Sequence, residues 1–191
     1  MMQSEKITIE EFLNRFTLII GDVNSGKTRM AGQILKVFCK AIGGRVTVID
    51  LAPDILPQDL AGRIKRTAVG GRLQVPESDM VRYYHDQIHP PRLRAGDEKE
   101  AEALAAQNLR TIDAVFATAL MQKSDALFIN DCSLYLHAGS SFKFLDYIRS
   151  SPTSVVNGYF GRFFSKSSIS IQERTGMKFL MRNCDRLIRL S

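Results

Sequence analysis

A short apolar run, Thr17-Leu18-Ile19-Ile20, leads directly into Gly21-Asp22-Val23-Asn24-Ser25-Gly26-Lys27-Thr28. That segment fits the Walker A pattern G-x-x-x-x-G-K-[ST] at every fixed position. From Thr28 onward Met30, Ile34, Leu35, Val37 and Phe38 recur at three- and four-residue steps, as on one face of a helix. Gly43-Gly44 then supplies the stop that a helix C-terminus favours. A strand, a glycine loop and a helix in this order restrict the chain to an α/β architecture with the loop at the carboxyl edge of the sheet.

The pattern carries its own chemistry. Gly21 and Gly26 let the backbone wrap tightly with its N–H groups turned inward. The helix that follows adds the positive end of its dipole, so an anion site arises from backbone alone. Lys27 is placed to reach the β- and γ-phosphates, and the Thr28 hydroxyl is a Mg²⁺ ligand. Residues 21–28 are therefore expected to bind a nucleoside phosphate. ATP with Mg²⁺ is the default, because no guanine-reading motif accompanies the loop. Gln122-Lys123-Ser124-Asp125 resembles one, but it begins with Gln and precedes the acidic strand.

Further strands follow the first βα unit. Arg45 to Asp50 is β-branched and apolar, as a buried parallel strand should be. Asp50 stands at its carboxyl end, where it can serve as a general base or hold Mg²⁺ through water, or cap a turn; Asp54 is a weaker second candidate. Ala126-Leu127-Phe128-Ile129-Asn130-Asp131 is an apolar strand ending in an acid, the Walker B partner that the loop requires. Asp131 is expected to hold Mg²⁺ with Thr28. Cys132 occupies the place where many ATPases carry a Glu that activates water. Thr153 to Gly158 reads as a fourth strand running into Tyr159-Phe160-Gly161-Arg162, and Arg162, beside Lys166, is placed to meet phosphate charge. Asp185 to Leu190 is a terminal strand.

Helices fill the intervals. Thr8-Ile9-Glu10-Glu11 and Ser170-Ile171-Gln172-Glu173 are capping-box patterns, predicting a short helix over 9–15 and the start of the last helix. A long helix from Asp97 to about Lys123 carries an apolar stripe from Ala101 to Leu120, and another spans 141–150. Residues 58–96 are irregular and basic, with Arg63, Lys65, Arg66, Arg72, Arg82, Arg92 and Arg94 among prolines, tyrosines and two histidines. Such an insertion reads as a lid, a binding loop or a solvated flap, with an anionic substrate or nucleic acid as its possible partner. His85 and His89 have the spacing of metal ligands on a helix, which the neighbouring prolines oppose.

Composition narrows the classes. A length of 191 residues fits one domain with one sizeable core. No apolar run approaches the roughly 18 residues of a membrane span, and the first residues lack a signal-peptide layout, so the expected compartment is cytoplasmic. Cys39, Cys132 and Cys184 form no C-x-x-C pair, which argues against a zinc cluster or disulfide framework. The net charge of +6 permits an anionic partner without requiring one.

The whole is expected to be a single P-loop three-layer α/β domain with a mostly parallel sheet of about five strands. Its layout resembles the ATP:corrinoid adenosyltransferases on Gly21 to Thr28, Ile129-Asn130-Asp131, Tyr159-Phe160-Gly161-Arg162 and Cys184-Asp185-Arg186-Leu187-Ile188. Cys132 stands where that family has Glu, and Phe160 where it has Thr. Ser25-Gly26-Lys27-Thr28 is also similar to the thymidine kinases and the Clp-type polynucleotide kinases. Three activities remain open at this point: a Mg²⁺-dependent ATPase using Lys27 and Arg162, an ATP-dependent transferase of adenosyltransferase or kinase type with Asp50 as base, and a non-hydrolysing nucleotide sensor.

Overall fold

The computed structural model describes residues 7–53, 71–164 and 166–191. Runs of β-branched and apolar residues form β1 (Phe16–Gly21), β2 (Val46–Asp50), β4 (Ala126–Asn130) and β5 (Thr153–Tyr159), which are buried almost throughout. Continuous apolar runs suit strands covered on both faces, the situation of a parallel sheet. At the edges lie β3 (Val81–Tyr84) and β6 (Arg186–Leu190), which are only half-buried or alternate with solvent. All six pair in parallel in the order β3-β2-β4-β5-β1-β6.

Helix α1 (Lys27–Ala41) covers one face, packing Ala31, Ile34, Leu35 and Phe38 on Ile19, Val46, Val48 and Phe128. The opposite face is covered by α3 (Glu98–Ala119), α5 (Ser141–Ile148) and α6 (Ser168–Asn183), with the short α2 (Pro91–Arg94) and α4 (Ser133–Leu136) at its margin. Their core holds Leu18, Ile20, Ile49, Ile112, Phe116, Leu127, Tyr135 and Met177. On β1 the alternation of Leu18 and Ile20 with Ile19 divides the two cores, as a period of two dictates. The result is a three-layer αβα sandwich.

Several local expectations are corrected. The sheet has six strands, not five, because Val81-Arg82-Tyr83-Tyr84 inside the supposed irregular insertion pairs with β2. Val and Tyr favour strands, but the surrounding prolines and charges mask the signal. The segment at Thr8 closes only one 3-10 turn, Ile9–Glu11, because Thr8 makes no capping bond. Helix α3 stops at Ala119. Helix α6 opens earlier than the capping box suggested, since Ser167 accepts from the Ser170 N–H; Glu173 is thereby a buried mid-helix residue. Asp54, Arg63, Lys65 and Arg66 lie outside the described residues.

Three of the described basic residues of the insertion are held by neighbouring groups. Arg82 bonds Gln122 and the Lys123 carbonyl, Arg92 pairs with Glu173, and Arg94 meets His89 Nδ1 at 2.7 Å.

Candidate functional site

The carboxyl ends of β1, β4 and β5 open on a cleft of about 320 Å³. Its first wall is the loop from Gly21 to Thr28. Gly26 has φ 90°, a left-handed conformation that side chains resist. Gly21 is required by crowding, because a Cβ there would stand 2.4 Å from Ser25 Oγ and 2.7 Å from the Leu190 carbonyl. Lys27 lies across the loop, its Nζ donating to the Asp22 carbonyl at 2.5 Å. Burial lowers its pKa, while the charges of Asp131 and Asp22 oppose that shift. Asp22 itself is acidic: burial would raise it, but the backbone N–H groups of Arg162 and Val23 and the Lys27 charge prevail.

Behind the loop runs a chain of side-chain hydrogen bonds. The Thr28 hydroxyl donates to Asn130 Oδ1 at 3.2 Å, and Asn157 Nδ2 donates to the same oxygen at 2.8 Å. Asn130 Nδ2 donates to Asp50 Oδ1 at 2.7 Å and to the Gly71 carbonyl at 2.9 Å. Asp50 is fully buried and also accepts from the Ala52 and Leu73 N–H groups and the Tyr83 hydroxyl. Four donors fill its acceptor sites. It does not line the cleft.

Asp131 does. It follows β4 with φ 57°, a left-handed turn that Asp tolerates better than most residues, and its N–H is held by Asn157 Oδ1 at 3.1 Å. Burial raises its carboxyl pKa to about 6, against the opposing charge of Lys27 and hydrogen bonding from Ser133. The next residue, Cys132, points away into the core, 3.7 Å from Met177 Sδ, and burial raises its thiol pKa. Strand β4 ends at Asn130, so Asp131 stands one residue past the strand and Asn130 is its last polar residue. A donating Thr28 hydroxyl keeps its oxygen lone pairs free, and the residue that orients it is Asn130.

The far wall is made of residues the sequence did not single out together. Arg92 pairs with Glu173, donates to Ser170 Oγ at 3.3 Å, and lies over the Phe164 and Tyr159 rings at 4.6 and 5.5 Å. Burial raises the Glu173 pKa to about 7 although Arg92 holds it down. His137 is 3% exposed, and Glu173 Oε1 stands 3.9 Å from its Nε2. Burial, then the Arg92 charge, keep the imidazole pKa well below its usual value. Among the described residues neither His137 nitrogen, nor Arg92 Nε, nor Glu173 Oε1 has a hydrogen-bond partner.

Of the residues singled out from sequence, Val23, Asn24, Gly26, Lys27, Thr28 and Asp131 line this cleft. Arg162 does not. Its backbone N–H binds Asp22 Oδ2 at 3.0 Å while its side chain is exposed. Arg92 is the arginine facing the far side of the cleft. Among the described residues no group of three or more His, Cys, Asp or Glu side chains is arranged to hold a metal by protein ligands alone. Among them, no helix is long and apolar enough to cross a membrane.

No protein-family model matches the chain, and no curated protein does. Among solved structures it is similar to the flagellar accessory protein FlaH from Methanocaldococcus jannaschii, with 12% sequence identity and a TM-score of 0.44. That similarity covers 93% of this chain and 71% of that one. An identity so low transfers no function.

Proposed function

We infer that this chain is a P-loop domain that binds a nucleoside triphosphate, ATP by default, and carries out Mg²⁺-dependent chemistry on its phosphates. The observation that supports the reading best is the convergence of three strand ends on one cleft. Gly26, Lys27 and Thr28 of the loop line it, Thr28 is oriented by Asn130, and Asp131 is the one carboxylate lining the space among the described residues. The oxygens of Thr28 and Asp131 are hard donors of the kind Mg²⁺ takes, and the ion would neutralise phosphate charge there. Lys27 offsets negative charge as it builds on the phosphates. Asp50, its acceptor sites filled, positions Asn130.

Within that reading, transfer to a second substrate is favoured over hydrolysis and sensing. The cleft continues past the loop to an apolar wall of Leu93, Leu134 and Phe164 with polar groups that have no partner among the described residues, more than water requires.

Thermal unfolding with ATP, ADP and GTP, with and without Mg²⁺, tests the reading. Nucleotide at about 100 times its dissociation constant stabilises by roughly 2.7 kcal/mol. Mg-ATP should raise the unfolding temperature of wild type and not of Lys27→Ala. No stabilisation by any nucleotide would sink the proposal.

A further inference from the structure

We propose that the part of the cleft formed by Arg92, His137, Leu93, Leu134 and Tyr159 is a second binding site, for an uncharged, hydroxyl-bearing small molecule that accepts a phosphoryl group. This rests on the nucleotide reading above, since the donor occupies the same cleft at Lys27 and Thr28.

Buried polar atoms are nearly always paired, so a convergent set without partners calls for an explanation. Among the described residues Arg92 Nε, both His137 nitrogens and Glu173 Oε1 are unpaired together, and Arg92 and His137 line the cleft. Their needs define the ligand. Of the two that line the cleft, Arg92 Nε–H wants an acceptor, and a neutral imidazole offers a donor and an acceptor. A hydroxyl group both donates and accepts. Arg92 is already paired with Glu173, so a phosphate or carboxylate entering here would have to compete with that side chain for the guanidinium. Leu93, Leu134 and Tyr159 provide the apolar walls for the body of the molecule. A cleft of about 320 Å³ that also takes a phosphate chain suits a small molecule, not a polymer.

The step balances without another reactant. The acceptor oxygen bonds to the γ-phosphorus, and the bond from that phosphorus to the β,γ-bridging oxygen breaks. The nucleoside diphosphate leaves with the electron pair, and the hydroxyl proton is released to water.

The test uses the full chain with Mg-ATP and millimolar uridine, glucose or inositol, with the monophosphate of each as a charged counterpart. Diphosphate release and the phosphorus NMR signal of a new phosphomonoester are followed. At least one neutral compound should raise diphosphate release about tenfold or more over water alone, as an oriented acceptor does. Its charged counterpart should not, and His137→Leu should lose the increment. If no neutral compound acts while Mg-ATP still raises the unfolding temperature, the acceptor site is overturned and the nucleotide reading stands. If Mg-ATP fails to stabilise, both fall. Because His137 bonds to no described residue, His137→Leu should unfold within a few degrees of wild type or higher. A collapsed or unfolded variant would place His137 in the structural core and overturn the assignment.

Discussion

Asp50 and Asp131 are acids at the carboxyl ends of neighbouring strands, and the fold treats them in opposite ways. Asp50 at the end of β2 accepts from two backbone N–H groups, a tyrosine hydroxyl and an asparagine amide. Asp131, just past β4, faces the cleft beside Lys27 with its pKa raised to about 6 by burial. One carboxylate is bound up in structure and the other is open to a ligand. Position at a sheet edge does not decide which acid does chemistry; the donors around it do.

The largest effect that would separate them is on stability. Asp50→Ala strands four buried donors, so a loss of about 3 to 5 kcal/mol is expected in denaturant unfolding, at roughly 1 to 3 kcal/mol for each group left unsatisfied and with partial relaxation. A variant as stable as wild type would erase the contrast. Asp131→Asn should instead fold normally and slow turnover by about 10² to 10³, the usual worth of one group that stabilises charge in the reaction. An unchanged rate would return the role to another group.

Glu173 sharpens the contrast through pH. Burial lifts its pKa from the ordinary 4.5 to about 7, so the folded chain keeps a proton there that the unfolded chain releases. Stability should therefore fall as pH rises between those values, by about 3 kcal/mol at about 1.4 kcal/mol per unit. Glu173→Gln should flatten that slope in thermal unfolding followed across the range. The smallest effect is expected at Asn157, which bridges Asn130 and the Asp131 N–H. Asn157→Ala should cost about 1 to 2 kcal/mol and weaken Mg-ATP binding, as loosened positioning does.

How much of this could be read in advance depends on how each part is built. The Gly21–Thr28 loop is one contiguous segment whose conformational demands are written in its own glycines, so strand, loop and α1 were legible. The parallel strands β2, β4 and β5 were legible from their apolar runs. Asn157, Arg92, His137 and Glu173 were not, because they come from four separate elements and each is ordinary in its own window. Glu173 was even misplaced, since Ser170 to Glu173 imitates a cap that Ser167 makes instead. The assignment at the end of β4 slipped by one residue for a related reason. Pattern counting places the first acid at the strand end, whereas the left-handed turn at Asp131 shows Asn130 to be the last residue in register, opposite Asp50.

The Asn130 amide has a consequence beyond the cleft. With two bonds accepted and two donated, it has no spare valence, so whatever moves Thr28 must be felt by Asp50, the Gly71 carbonyl and, through Tyr83, the outermost strand. The amide works as a rocker joining the phosphate end of α1 to the margin of the sheet. Occupancy at one end of this relay should therefore be readable as slowed or quickened amide exchange at Leu73 on the other.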